Sequence, residues 1–447
     1  MFILTIVKIK RITLNENIFS MKYYFTLGLL ALMSTISAQT DVEKAAETVD
    51  KNKIEGHIYF LADDLLKGRA TGSPELKIAA SYLANTLRGY GVKPSPKTGN
   101  FYQQVKLKQV SPPTQVEVQI NGTQLNDYAL LFPSPVSVNG DAIFLNYGLE
   151  NDYKGKDVKG KIAVMKAGGP DTKDARAAFG LSAEKQKLAK ANGVSAIVEL
   201  LDTDNAMWST IDHHFNGVQL DLVEGDKDED EKSNDDQLAH IWIWDSGAIM
   251  AKEFETSKAL KASVSINEKQ EKIIVSQNVI GTIEGTDPKL KEEYIIYSAH
   301  YDHIGIGRPD AKGDTIYNGA RDNAIGTTAV LNIAENLAKY PTKRSALFIL
   351  FTGEEKGLLG SQYYVQNPVL PLNQMIYCFN TDGGGYNNTS LATIAGLKRT
   401  TAQKHMVEGA KTFGLKALDI DDVAPEEGLF DRSDNVSFAA VGIPAPT

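Results

Sequence analysis

The sequence predicts an α/β fold: a mixed, mostly parallel sheet flanked by helices, with a small β-rich domain inserted in it. Three observations carry this. After Asn278, short apolar runs alternate with segments of helical period, the pattern of strands joined by crossover helices. Up to about residue 100 the chain reads as largely helical. Between these blocks, residues 111–270 switch to alternating strands and turns.

Each element has its own signal. Ile54–Leu66 and Glu75–Tyr90 carry apolar residues at helical spacing. The loop between them, Lys67–Pro74, is marked by two glycines and a proline. In the middle block, Thr114–Ile120 alternates like a half-buried strand and Asn121-Gly122 follows as a turn. Asp157–Met165 is a turn feeding an apolar strand, and Ser182–Asn192 is helix-like and leads into the strand Ala196–Leu200. In the last block, strands are expected at 294–299, 345–352 and 374–380, and helices at 324–339 and 357–367. The expected organisation is a leader and signal peptide over 1–38, one α/β domain from 39–110 and 271–447, and the insertion 111–270.

Of 447 residues, 42% are apolar and 23% charged, the composition of a chain that buries sizeable cores. The net charge of −9, from 47 basic and 56 acidic residues, argues against nucleic acid as a partner, which needs clustered positive charge. Met21-Lys22, the apolar run Tyr23–Ile36 and the small residues before Gln39 describe a secretory signal cleaved after Ala38. The run is short for a membrane span, so a secreted or periplasmic protein with no stable span after cleavage is expected. The single cysteine, Cys378, excludes an intrachain disulfide and lies in an apolar run, as a core residue does. The acidic run 224–236 lacks the ligand spacing of a calcium loop and reads as solvated.

Candidate chemistry follows from where the strands end. In open α/β sheets, sites form beyond the carboxyl ends of strands. The first strand ends at His300-Tyr301-Asp302-His303, the second at Thr352-Gly353-Glu354-Glu355, and the third at Thr381-Asp382. Asp322 lies just before the helix from Ala324. Imidazole and carboxylates converging on one rim are the donor types of a catalytic zinc site. So many acids would repel one another without a cation. Asp302, two residues after His300, is placed to orient that imidazole. His303 reads as a supporting or structural residue rather than a ligand. His57, His213, His214, His240 and His405 lie elsewhere and receive no role.

The motifs Ser298–Gly305, Gly319–Gly326, Phe351–Ser361 and Asn380–Asp382 together resemble the di-zinc aminopeptidase family. That family also holds glutamate carboxypeptidase II and the non-catalytic transferrin receptor. Phe60–Ser73 is similar to its N-terminal helical region, and the middle block, with Lys159–Val164, resembles a protease-associated domain. The resemblance implies a zinc exopeptidase fold and two zinc ions. His300 and Asp382 would bind one ion, Asp322 would bridge, and Glu355 would bind the other. Glu354 would be the general base and Asp302 would orient His300. The implied activity is removal of N-terminal residues from peptide substrates. A carboxypeptidase or dipeptidase is the alternative within enzymes, and a binding protein the alternative outside them. The family also supplies a final histidine beside the Glu355 zinc. No histidine follows His405 here, so that second site is expected to be incomplete, through a shortened sequence or a lost ligand.

Overall fold

The computed structural model describes residues 39–223, 237–257, 259–307, 309–384, 388–418 and 420–447. The expected signal peptide and the acidic run 224–236 lie outside them. Two large sheets make the frame. The first has seven strands, in the order Met375–Asn380, Tyr294–His300, Ser345–Phe351, Gln270–Ile283, Tyr102–Ser111 and Gln219–Leu222, with Lys93–Pro94 paired to Gln270–Ile283.

The mixed sheet is as expected, but its parallel part is narrower. Only the three site-bearing strands pair in parallel, 294–300 lying between 345–351 and 375–380. The strands beyond them pair antiparallel. The parallel part requires helical crossovers, and these are the segments whose helical period is visible in the sequence.

Ser345–Phe351 is buried at every position, which explains its unbroken apolar run. Ala346, Phe348 and Leu350 face one core, with Leu83, Leu87, Val330 and Leu331. Leu347, Ile349 and Phe351 face another, with Tyr364, Cys378 and Phe438. On the first side, helix Pro74–Gly89 buries Leu76, Ala79, Ala80, Leu83, Ala84 and Leu87, a stripe at helical spacing. Ser73 caps it by accepting from Leu76 N–H, and Pro74 sits in its first turn. Helix Ile325–Lys339 packs beside it through Val330, Leu331 and Ala334.

Two boundaries move. The expected helix 54–66 runs instead over Lys51–Leu61, because Asp63 accepts from Leu65 N–H and starts a separate 3-10 turn, Asp64–Arg69. The helix expected at 357–367 is Leu359–Gln366, since Gly357 and Leu358 both have positive φ.

The middle block forms an eight-stranded sheet. Its strands Val136–Phe144, Ile162–Lys166, Ala196–Leu201 and His240–Trp244 pair in parallel, so this block is itself mixed rather than a simple β unit. Lys185 and Glu199 form a fully buried ion pair of 2.8 Å within it. One strand of the block, Gln219–Leu222, leaves it and pairs with Tyr102–Ser111 of the first sheet. Among the described residues, no helix is long and apolar enough to cross a membrane.

Candidate metal centre

The site lies at the carboxyl ends of the three parallel strands. His300 is the last residue of its strand and its side chain is 1% exposed. Thr327 Oγ1 donates to its carbonyl at 2.8 Å, tying this strand end to the helix that follows Asp322. The Glu354 turn is fixed from below by Asn278, whose Oδ1 accepts from Thr352 N–H at 3.1 Å and whose amide donates to Gly360 O. A Cβ on Gly360 would stand 2.2 Å from Thr352 O and 2.5 Å from Asn278 Oδ1, so only glycine permits this turn to fold back. Asn323 does the same for the acids on the other side. Its amide donates to Thr381 O and its Oδ1 accepts from Gly383 N–H, which fixes Asp382 relative to Asp322.

These supports bring together all the residues singled out in the sequence. His300 Nε2 lies 3.2 Å from Asp322 Oδ1, 3.2 Å from Asp382 Oδ1 and 3.9 Å from Glu354 Oε2. Two groups within the described residues have the donors to hold an ion: His300, Glu354 and Asp382, and His303, Asp322 and Glu355. The donor set fits zinc. Ligands placed tetrahedrally about 2.0–2.1 Å from an ion stand about 3.3 Å apart, and the two 3.2 Å spacings from His300 already match.

The Asp302 carboxylate is buried beneath the site. Its Oδ2 accepts from Thr71 Oγ1 at 2.8 Å and its Oδ1 from Glu354 N–H at 3.2 Å. His300 Nδ1 is nearer to the main-chain carbonyl of Asp302, at 3.2 Å, than to the carboxylate, at 3.8 Å. Asp302 therefore reaches the imidazole through its backbone and the Glu354 turn through its side chain.

Crowded charge dominates the electrostatics of the site. Burial, then the neighbouring acids Asp434, Asp382 and Asp302, hold Glu354 well above the usual carboxylate range, against the pull of His300. Burial also raises Asp302. Burial alone would lower His300, but Asp322, Asp382 and Glu354 keep it well above its ordinary value. Asp322 is lowered: burial alone would raise it, but its hydrogen bond to His300 and the charges of His300, His303 and Arg69 together outweigh that.

Two participants escaped the sequence reading. Asp434 is fully buried, and burial pushes it up to about 7, against the pull of His300. Arg69 is 1% exposed. Its guanidinium donates to the carbonyls of Leu61, Tyr301, Asn318 and Gly319, so one side chain joins the helical segment to the His300 and Asp322 loops. The loop signal at Lys67–Pro74 was visible, but nothing in it showed which way an arginine would turn.

The model of peptidase family M28 matches residues 278–447, the stretch that holds every candidate ligand. Residues 278–447 belong to peptidase family M28. The similarity extends beyond that M28 domain. Aminopeptidase YwaD of Bacillus subtilis is 24% identical over 436 residues, covering 94% of this chain and 82% of its own. The solved aminopeptidase of Aneurinibacillus sp. strain AM-1 superposes with a TM-score of 0.58 at 22% identity, over 91% of this chain and 86% of its own. BSAP, a zinc aminopeptidase from Bacillus subtilis, gives a TM-score of 0.53 at 20% identity, over 88% and 84%. These two structures establish that the M28 domain and the second sheet together follow a shared fold.

Proposed function

We propose that this chain is a zinc-dependent aminopeptidase that hydrolyses N-terminal residues from peptides. One observation carries the reading: His300, Asp322 and Asp382 converge at ligand spacing, with Glu354 3.9 Å from the same imidazole nitrogen. His300 and Asp382 would hold one ion, Glu355 the other, and Asp322 would lie between them. Zinc in such a site lowers the pKa of a water toward neutrality and polarises the scissile carbonyl.

The chain's own groups do the rest. Glu354 is buried, and burial raises its affinity for a proton; it takes the proton of the attacking water and delivers it to the leaving amine. Asp302 fixes the height of Glu354 by holding its N–H. His300 stays oriented because Asp302 O faces its other ring nitrogen. The name aminopeptidase on the relatives supports the direction of cleavage. We read residues 111–270 as a protease-associated insertion and Met21–Ala38 as a secretory signal, which suits an enzyme acting outside the cytoplasm.

The test is hydrolysis of aminoacyl-nitroanilides and of their N-acetylated forms by zinc-loaded protein. Cleavage of the free-amine substrates alone, abolished in Glu354→Gln, is expected. Equal cleavage of both forms would contradict an aminopeptidase.

A further inference from the structure

We propose that Leu220, carried by the strand that leaves the middle block, is a positioning residue for Glu354, so that the middle block takes part in turnover itself. The inference rests on the reading of Glu354 as the base and deepens it.

Strand Gln219–Leu222 is held from both sides. In the middle block it follows helix Asn205–Asn216, whose last residue is bound to the strand Tyr128–Phe132. Asn216 Nδ2 donates to Tyr128 O at 2.6 Å, and its Oδ1 accepts from Leu130 N–H at 3.1 Å. Gly217 makes the turn out of the helix tight: a Cβ there would stand 2.4 Å from His213 O. Gln219 Nε2 then donates to His214 O at 2.7 Å. In the first sheet the strand pairs antiparallel with Tyr102–Ser111, Leu220 opposite Gln109 and Leu222 opposite Leu107. Strand alternation turns Leu220 inward, to 6% exposed, while Gln219 and Asp221 face solvent.

Leu220 joins a small cluster with Val105, Leu107 and Leu359, bordered by Leu222, Ile274 and Tyr363. This cluster lies behind the base. Leu359 opens the helix after the Glu354 turn. Its N–H donates to Gly353 O at 2.9 Å, and Leu358 N–H donates to Glu354 O at 2.9 Å. A Cβ on Gly353 would meet Leu359 Cβ at 3.2 Å and Thr71 Cγ2 at 3.4 Å, so the residue before Glu354 lies between these two side chains. Thr71 donates to the Asp302 carboxylate, which accepts Glu354 N–H. Ile274 packs on the next residue of that loop: a Cβ on Gly72 would stand 2.5 Å from Ile274 Cδ1. The cluster therefore backs both supports of the base, the helix start and the Thr71 loop. Close-packed neighbours refill a deleted side chain only in part, and the neighbour that Leu220 would leave unsupported is Leu359. A misplacement of about 1 Å in a catalytic group costs about a hundredfold in rate, so a fraction of that costs about tenfold.

The test uses the zinc-loaded full chain and leucyl-nitroanilide, a substrate too small to depend on access. Leu220→Ala is expected to lose about tenfold in kcat, with KM within about twofold of wild type and zinc content unchanged. Leu220→Met, which refills the space, should recover most of the rate. Val264→Ala opens a void in the core at the other side of the eight-stranded sheet and should keep kcat. Hydrogen exchange read by mass spectrometry should speed up over residues 352–360 in Leu220→Ala and stay unchanged over Met375–Asn380, at the far edge of the first sheet. Leu220→Val trims a single methylene and gives the same readouts, in smaller steps, should the alanine variant fail to fold. Unchanged kcat or unchanged exchange over 352–360 in the folded Leu220 variant would overturn the assignment. So would an equal fall in Val264→Ala, or zinc loss in step with activity; each leaves the aminopeptidase reading intact. No hydrolysis by wild type would overturn both.

Discussion

The Asp302 carboxylate accepts the backbone N–H of Glu354 at 3.2 Å and the hydroxyl of Thr71 at 2.8 Å. An acid that follows the His300 strand thus sets the position of the proposed base on the next strand. Asp302→Asn keeps the shape but removes the negative charge beneath the site; its amide oxygen can still accept from Glu354 N–H only if its NH2 turns to Thr71, whose hydroxyl must then accept instead of donate. We expect kcat/KM to fall about 10–100-fold, mostly through kcat, with zinc content close to wild type. Steady-state kinetics and metal analysis on the same preparation check both parts.

Glu354→Gln removes the proton acceptor without emptying the space. A loss of about 10²–10⁴ in kcat is expected for a general base. Its zinc content should be unchanged, because His300, Asp322, Asp382 and Glu355 remain. Zinc loss in parallel with activity would instead mark Glu354 as a ligand.

Arg69 bonds four main-chain carbonyls from a buried position. Burial lowers its pKa to about 10, with Asp302, Asp322 and Glu355 pulling the other way, so it stays charged at neutral pH. Arg69→Met leaves those acceptors unpaired, at about 1–3 kcal/mol for each one that water does not reach. Arg69→Lys should recover little, since an ammonium cannot reproduce the planar fork. Chemical denaturation of the metal-free proteins should show both variants destabilised by about 3 kcal/mol or more.

The stability of the metal-free protein should fall as pH rises from about 5 to about 8. Asp434 binds its proton up to about pH 7 in the folded state but only to about 3.9 when unfolded. The folded state therefore holds more protons in this window, and stability is lost as pH climbs through it. Glu354 and His300, both raised, act with the same sign. Asp322, lowered, acts oppositely but only below the ordinary carboxylate range. Calorimetry should find a melting temperature that declines over this interval, a shallower decline in Asp434→Asn, and the largest stabilisation by zinc at the alkaline end.

Much of this was readable in the sequence, for identifiable reasons. Strands buried on both faces leave unbroken apolar runs, so Ser345–Phe351 announced itself, and the residues after each strand pointed to one rim. The Leu76–Leu87 stripe marked a helix through its period. Long-range pairing leaves no such trace: nothing in Gln219–Leu222 shows that it leaves its block to join Tyr102–Ser111. His303 reads as a supporting residue because the strand ends at His300 and the turn after it follows no period. Asp434 and Arg69 were missed because a charged residue in a loop reads as solvated until tertiary contacts bury it.

The most direct test of the account is the zinc content of this 447-residue chain, measured by mass spectrometry after zinc loading and exhaustive dialysis, with aminoacyl-nitroanilide hydrolysis on the same sample. The account predicts at least one tightly held zinc ion per chain and hydrolysis that disappears with chelation and returns with zinc. Less than one ion per chain, with no hydrolysis after reconstitution, would contradict it.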